Sequence, residues 1–298
     1  MCGILAGVAA DAKRPRSDPR GVEELPGPGS TLVTIRPGGP SKPPLFCVHA
    51  EAGDVSLYYG VAGHLPADQP VLGLCAPPAG ELGADASIEH IAARHVNSIR
   101  DARGTGPYLI VGECTGGALA YEIAQQLRAV EQEVALLALV DAFPPGLPRL
   151  RRLMPRALYQ VLHRARILGF HLENVVRLGV GGGLAYASAK ARRARTALRR
   201  KLSRRLGSSG ASVSPQLAFR NALASYTPSP FAGRMVLFRA TRLPLGIDTP
   251  ADLGWGGLVE NLQVEMVPGY FTTPISEPGV RMLADGLTSH LARATGAA

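Results

Sequence analysis

The stretch PYLIVGECTGGALAYEIAQQLRAV, residues 107–130, determines the fold class that this chain is expected to adopt. It opens with an apolar run of strand length and closes with a segment whose apolar residues recur at helical spacing. Between the two, Gly112, Cys114 and Gly116 form a Gly-x-Cys-x-Gly turn, in which glycine permits a close approach of strand and helix. We interpret the segment as a nucleophile elbow with cysteine at the nucleophile position, the alternative being a glycine-rich turn around an inert buried cysteine.

Short apolar runs alternate with helical patterns on both sides of this segment. Strands are expected in STLVTIRP, PPLFCVHA, QPVLGLCAP, VALLALVDAF, GRMVLFRAT and NLQVEMVPG, and helices in VSLYYGVAGHL, SIEHIAARHVNSIRDA and EPGVRMLADGLTSHLARA. Apolar strands separated by helices are typical of a parallel sheet that is covered on both faces. The predicted fold class is therefore α/β, with a mainly parallel sheet and helices on both faces.

The chain divides into regions of different composition. Residues 1–40 are rich in proline, glycine and charge, which predicts a flexible N-terminal lead. Residues 41–298 are expected to form one domain that carries the elbow. Within it the alternation stops at about residues 144–215, where an arginine-rich, helix-forming insertion is expected to act as a lid.

The overall composition is typical of a globular cytoplasmic protein. Hydrophobic residues make up 46% of the 298 residues, enough for a full core. The N-terminal apolar stretch precedes the basic residues, the reverse of a secretory signal, and no apolar run reaches membrane length. The cysteines have neither CxxC spacing nor histidine clusters, so we expect no metal site and no disulfide framework; they are Cys2, Cys47, Cys75 and Cys114.

The basic residues are concentrated in one segment. The net charge is +9, and half of the lysines and arginines lie between residues 149 and 205. Aromatic residues that could stack on bases are not interleaved with them, which argues against nucleic-acid binding. The segment is interpreted either as a solvated helical face or as a docking surface for an acidic carrier protein.

The position of Cys114 predicts an activated thiol. Unpaired backbone N–H groups at the start of a helix favour thiolate over thiol, so we expect the pKa of Cys114 to be lowered. The backbone N–H of Thr115 is expected to point at the oxyanion of a tetrahedral intermediate. A second oxyanion donor should come from VHAEAGD, through the N–H of Ala50 or of Glu51.

Asp141 is the candidate acid, because it ends the apolar strand LLALVD. A carboxylate at the carboxyl end of a strand beside the elbow lies in the ligand crevice of an α/β sheet. The alternative is an aspartate that caps a helix or forms the turn before Phe-Pro-Pro.

The chain from about Pro43 to Leu291 resembles the thioesterase domains that terminate nonribosomal peptide synthetases and polyketide synthases. The resemblance rests on six motifs in order, which are FCVHAEAG, the elbow, LVDAFPP, YTPSPFAGRMVLFRA, LGWGGLVENLQVEMVPG and the closing EPGVRML. It implies an α/β-hydrolase fold, a nucleophile at Cys114, an acid at Asp141 and a helical lid between Asp141 and the strand GRMVLF.

The sequence departs from that family at the base. The family has a histidine after the VPG turn, in a phrase like GxHxxxxxEP, and counting back from Glu277-Pro278 places Phe271 there, next to Tyr270. We expect Phe271 to lie in the crevice near the nucleophile, with Tyr270 and Glu113 lining the substrate pocket.

Four explanations for the missing base stay open. His49 could reach Cys114, although a structural histidine in that loop is the stronger interpretation. A lid histidine, His163 or His171, could swing in. The cysteine could also need no dedicated base, because a thiolate attacks without proton abstraction. Finally, the chain could be an inactive descendant.

Two carboxylates, Glu51 and Glu113, lie close to the nucleophile in sequence. A substrate that carries an ammonium group would explain them, since opposite charges stabilise each other in a water-poor pocket. They could equally point outward to solvent or bond to loop amides.

The expected function is acyl transfer from a carrier-protein thioester through an acyl-enzyme on Cys114. The chain would release, cyclise or transfer a peptidyl, aminoacyl or polyketide group. No cofactor is expected to be bound, because the acyl group arrives on the phosphopantetheine of a carrier protein and leaves on a small-molecule acceptor. The alternatives are an aminoacyl shuttle between carriers and a catalytically impaired protein that binds acyl carriers.

Overall fold

The computed structural model describes residues 23–24, 31–77, 86–147, 149–150, 154–177 and 215–296, with the isolated positions 179, 184, 188, 191 and 195. Most of the predicted lead, and most of the basic segment that follows residue 177, lie outside the described residues.

The described strands form one large sheet and one small one. The strands are β1 (Glu23–Glu24), β2 (Leu32–Arg36), β3 (Leu45–Val48), β4 (Val71–Leu74), β5 (Tyr108–Glu113), β6 (Val134–Val140), β7 (Arg149–Leu150), β8 (Phe231–Arg242), β9 (Ile247–Asp248) and β10 (Val259–Tyr270). The 8-stranded sheet has the order β1-β2-β4-β3-β5-β6-β8-β10. Neighbours are parallel from β4 to β10, whereas β2 is antiparallel to β4 and to β1. Strands β7 and β9 pair with each other.

Helices cover both faces of the large sheet. They are α1 (Tyr58–His64), α2 (Ile88–Ala102), α3 (Gly116–Ala129), α4 (Arg156–Arg177), α5 (Pro215–Ser225) and α6 (Gly279–Ala294). Residues of α2, α3 and α5 form the core on one face, and residues of α1 and α6 form the core on the other. Within the described part of the chain, no helix combines the length and the apolarity that crossing a membrane requires.

The predicted mainly parallel sheet with helices on both faces is confirmed. The sequence did not predict the pairing of β7 with β9, because strands of two residues carry no periodicity. Helix α5 begins at Pro215, and the insertion at about residues 144–215 stays a prediction.

Backbone segments approach very closely at the turn between β5 and α3. A Cβ atom at Gly112 would lie 2.6 Å from the carbonyl oxygen of Gly116, and one at Gly116 would lie 2.5 Å from the carbonyl oxygen of His49. A Cβ atom at Gly117 would meet the Cβ of Ala142. Side chains at these glycines would therefore push β3, β5 and β6 apart from α3.

We expect Gly116→Ala to lower the free energy of unfolding by about 1–3 kcal/mol, because the new methyl group must displace the His49 carbonyl. Urea unfolding followed by circular dichroism measures the change. Gly63→Ala in α1 is the matched control, since nothing lies within 4 Å of a Cβ there and alanine favours the helix. Equal stability of the two variants would show that the close approach at Gly116 is not required.

Candidate active site

Cys114 occupies the turn that joins β5 to α3. Its φ of 51° is in the left-handed region, which is uncommon for a residue with a side chain and marks a backbone that its surroundings hold in place. The Cys114 N–H donates to the carbonyl of Val140 at 2.9 Å, and the Gly117 N–H donates to the carbonyl of Cys114 at 3.1 Å. The nucleophile elbow predicted from the glycines therefore has the expected strand, turn and helix around it.

The expected lowering of the Cys114 pKa is wrong. Burial raises the pKa of the thiol to about 12, and the negative charge of Glu113 acts in the same direction. The backbone N–H of Thr115 opposes the shift, whereas Asp141 and Glu51 add to it. The cost of burying a thiolate among carboxylates exceeds the stabilisation from the helix N-terminus. The thiol of the free protein is therefore neutral at physiological pH.

One of the two proposed second oxyanion donors is already engaged. The Glu51 N–H donates to the hydroxyl of Thr115 at 3.0 Å, so the prediction that this amide binds the oxyanion is wrong. In the described structure, the N–H of Ala50 has no acceptor within hydrogen-bond distance. The N–H groups of Thr115 and Ala50 are the pair that an oxyanion could use.

Asp141 lies at the carboxyl end of β6, fully buried and with a φ of 45°. Its Oδ1 accepts from the N–H of Ala240 at 2.7 Å, and its Oδ2 accepts from the N–H of Thr272 at 2.8 Å. Burial raises its pKa to about 6, although both bonds and the charge of Arg239 favour the carboxylate. This aspartate is held by a donor in strand β8 and by a donor in the turn after β10, rather than capping a helix.

Phe271 lies beside this carboxylate, because the next residue, Thr272, donates to Asp141. The Phe271 ring packs against Phe143, with ring centroids 5.5 Å apart. The adjacent Tyr270 is buried, and its hydroxyl lies 2.8 Å from Nδ1 of His163 on α4. Phe271, the position that the spacing from Glu277-Pro278 indicated, therefore lies next to Asp141.

The histidine candidates for the base are not brought to Cys114. His49 is buried, its Nδ1 donates to the Ala50 carbonyl at 2.8 Å, and its Nε2 has no partner among the described atoms. Its ring packs against His95 and Phe219, with centroids 5.4 Å from each. Burial lowers the pKa of His49 to about 4. His49 therefore fits the structural role that the sequence analysis gave as the stronger interpretation. It is not a base in contact with Cys114.

The lid histidines are also engaged elsewhere. His163 stacks on Tyr159 and bonds to Tyr270, and the ring of His171 contacts Phe170. In the part of the chain that the structure describes, no imidazole nitrogen lies within hydrogen-bond distance of the Cys114 sulfur.

The two carboxylates near the nucleophile have different surroundings. The Glu51 side chain is 41% exposed and lies 3.8 Å from the guanidinium of Arg220. Glu113 is only 7% exposed, and burial together with Asp141 raises its pKa to about 8. Only Glu51 fits the interpretation that these side chains point outward.

Sequence reasoning missed the groups that hold Asp141. Two of them are backbone N–H groups, which every residue except proline carries, so no residue type could indicate them. Arg239 is a charged residue within the apolar strand β8, and that break in the pattern was the available indication.

Comparison with known proteins identifies the family. A family model described as the Thioesterase domain matches residues 43–204, which is more than half of the chain. The chain belongs to the thioesterase domain family. With the strand order given above, its fold is the α/β-hydrolase fold.

The similar proteins include peptide synthetases. Over 246 residues the thioesterase chain is 28% identical to a dimodular nonribosomal peptide synthase of Bacillus subtilis (strain 168), covering 79% of the chain and 10% of that protein. Over 111 residues it is 38% identical to malpinin synthetase of Mortierella alpina, covering 37% of the chain and 1% of that protein. The chain thus spans a small fraction of the curated relatives that it matches.

A solved structure is similar over most of the chain. The NocB thioesterase domain, in covalent complex with a fluorophosphonate nocardicin G analog, is 26% identical with a TM-score of 0.56, covering 84% of the chain and 95% of that domain.

The raised pKa of Cys114 predicts the pH dependence of its alkylation by iodoacetamide. Because the thiol pKa lies near 12, the rate should keep climbing through pH 10, whereas an ordinary cysteine titrates near about 8.5 and levels off above that. Mass spectrometry of the Cys114 peptide gives the rate, with N-acetylcysteine as reference. A plateau below pH 8 would contradict the account, since it would mean a stabilised thiolate despite Glu113, Asp141 and Glu51.

Proposed function

We propose that the protein takes an acyl group from the thioester of a carrier protein onto Cys114 and passes it to an acceptor. The observation that carries the proposal is the elbow, in which Cys114 has a φ of 51° between β5 and α3. The backbone N–H groups of Thr115 and Ala50 and the buried carboxylate of Asp141 accompany it. Membership of the thioesterase family supports the same chemistry.

The similar proteins support a carrier-bound substrate. The Bacillus relative is a nonribosomal peptide synthase, and the similar NocB thioesterase domain forms a covalent complex with a phosphonate. By analogy with these proteins, we propose that the acyl group arrives on the phosphopantetheine arm of an acyl or peptidyl carrier protein. The acceptor is a small molecule or a second carrier.

The proposed transfer exchanges one thioester for another. The Cys114 sulfur attacks the carbonyl carbon, and the N–H groups of Thr115 and Ala50 stabilise the oxyanion. The bond from carbon to pantetheine sulfur then breaks, and the thiol proton of Cys114 ends on the pantetheine thiol. Because the acyl-enzyme is itself a thioester, it retains the driving force to form an amide, an ester or a new thioester.

The surroundings of the acid favour transfer over hydrolysis. The rings of Phe271 and Phe143 form an apolar wall beside Asp141 where the family has an imidazole. Without that base, water near the acyl-enzyme is not deprotonated, whereas an amine or thiol acceptor brings its own nucleophile. An aminoacyl shuttle between carriers is one form of this function.

Helix α4 is proposed to belong to the lid. It is tied to the loop of the acid by the contact of His163 with Tyr270, and to the end of β8 by the ion pair of Glu173 with Arg242 at 2.9 Å. A lid in this position would enclose the acyl group over Cys114. Its arginine-rich continuation is the proposed docking surface for the carrier.

A second candidate function is binding of an acyl carrier without catalysis. The neutral thiol of Cys114 and the aromatic residue at position 271 favour it. The two functions differ in whether a covalent acyl-enzyme forms.

We expect an acyl-pantetheine thioester, or a carrier protein loaded with it, to acylate Cys114 and no other cysteine. Intact-protein mass spectrometry should detect the added acyl mass, and Cys114→Ala should abolish it. Cys47→Ala is the control, because burial raises the pKa of that thiol far above its usual range and keeps it inert. Adding an empty carrier then distinguishes release from transfer. A loaded carrier that binds without any adduct on Cys114 would favour the non-catalytic protein.

We expect Phe271→His to raise thioester hydrolysis, by up to the roughly 10²–10⁴-fold that a positioned acid–base group supplies. The imidazole would lie next to Asp141, whose oxygens can accept a further hydrogen bond. Free thiol released from an acyl-pantetheine measures the rate. Phe271→Leu removes the ring without adding a base and should leave hydrolysis slow. Equal rates for the two variants would mean that position 271 does not reach the nucleophile.

A further inference from the structure

Glu113 is a buried residue whose carboxyl group has no hydrogen-bond partner among the residues that the structure describes. Three described acidic side chains are buried, and the other two are satisfied. Asp141 accepts two backbone N–H groups, and Glu122 accepts from Tyr226 at 2.6 Å and from Gln126 at 2.8 Å. For Glu113, no donor of the described chain is within hydrogen-bond distance. Buried carboxyl groups without a partner are rare in proteins because each loses its hydration.

No described cation balances Glu113. Burial and the negative charge of Asp141 both disfavour its carboxylate form, and no positive group among the described residues contributes in the opposite direction. Arg239 acts on Asp141, and Arg220 lies against the exposed Glu51. This cluster of acidic side chains occurs in a chain whose net charge is +9. General composition therefore does not account for it.

Glu113 directly precedes Cys114 in the chain. It ends β5, and its charge is the strongest electrostatic influence on the thiol after burial. The side chain keeps a residual exposure of 7%, so it is not sealed from solvent. A group that binds at Cys114 therefore lies next to the residue that carries this carboxyl group.

We infer that Glu113 is the recognition group for a protonated amine carried by the acyl group that is loaded onto Cys114. The inference rests on the proposed function and specifies its substrate class, which is an aminoacyl thioester with a free ammonium group close to the thioester carbonyl. The ammonium supplies the hydrogen bonds and the positive charge that the described residues do not.

Binding of such a cation also acts on the nucleophile. A positive charge next to Glu113 offsets the part of the rise in the Cys114 thiol pKa that comes from Glu113, and it adds a favourable interaction with the thiolate. The pKa of the thiol is therefore lower when an ammonium-bearing substrate is present than when it is absent, although the contribution of burial stays. Neutral and anionic acyl groups do not produce this activation.

Small thiol reagents test the recognition without a substrate. Alkyl methanethiosulfonates form a disulfide with Cys114 and release methanesulfinate, so the transferred group can be cationic, neutral or anionic at constant chemistry. We expect 2-aminoethyl methanethiosulfonate to modify Cys114 about tenfold faster than methyl methanethiosulfonate, after division by the rates with N-acetylcysteine, because an ion pair of about 1.4 kcal/mol corresponds to a factor of ten. The 2-sulfonatoethyl reagent should be slower than both.

Two variants assign the preference to one carboxyl group. Glu113→Gln should remove the preference for the cationic reagent, whereas Glu51→Gln should retain most of it, because Glu51 is exposed and lies against Arg220. An unchanged preference in Glu113→Gln, or no preference in the wild-type protein, would overturn the inference. A wild-type pH series covers the case in which Glu113→Gln does not fold. The preference should grow from pH 6 to pH 8, where the amine of the reagent is still protonated, as Glu113 ionises around a pKa of about 8, with Asp141, Glu51, Arg239 and Arg220 as the other charges nearby.

Substrates separate this inference from the proposed function. Alanyl-pantetheine and N-acetylalanyl-pantetheine have the same thioester and differ in the ammonium group. Acylation of Cys114 by alanyl-pantetheine at least tenfold faster supports the inference, and equal acylation by both rejects it while the proposed function stands. If neither acylates Cys114, the proposed function itself fails.

Discussion

The close approach of three backbone segments at the start of α3 is the constraint on which the rest of the site depends. Because positions 112, 116 and 117 carry no side chain, the carbonyl of His49 and the Cβ of Ala142 come into contact with the turn. The same contacts fix Cys114 in a left-handed conformation. Ala50 directly follows the first of these contact points and Asp141 directly precedes the second, so the packing of the turn also sets the positions of the amide of Ala50 and the carboxylate of Asp141.

The charge state of the Cys114 thiol, rather than its position in the turn, distinguishes this site from one that is ready to react. A helix N-terminus stabilises a negative charge by about 0.3–2 kcal/mol, whereas taking an ion out of water costs several kcal/mol even after relaxation. With carboxylates on both sides, burial determines the state of the thiol. In the proposed transfer, with no contacting imidazole among the described residues, the proton of the thiol leaves with a group that the substrate brings.

The sequence predicted the strands and the turn that build the site better than it predicted the charge states of the side chains in it. Apolar strands and glycine spacing are local patterns, so β3, β5, β6 and the elbow followed from them, and a short phrase located Phe271. The pKa of Cys114 was predicted in the wrong direction because burial depends on what packs above a residue. For the same reason Glu51 and Glu113 looked alike in sequence and differ in the fold. The engagement of the Glu51 amide by Thr115 depends on a contact across 64 positions.

The two bonds to Asp141 also impose an order on the assembly of the site. They join residues that are 99 and 131 positions apart, whereas Cys114 and the segment around His49 lie earlier in the chain. During synthesis the turn at Cys114 can therefore form while Asp141 still lacks both of its hydrogen-bond donors. The centre is completed only when β8 and the segment after β10 have emerged, so a nascent or truncated chain would carry the cysteine without its finished setting.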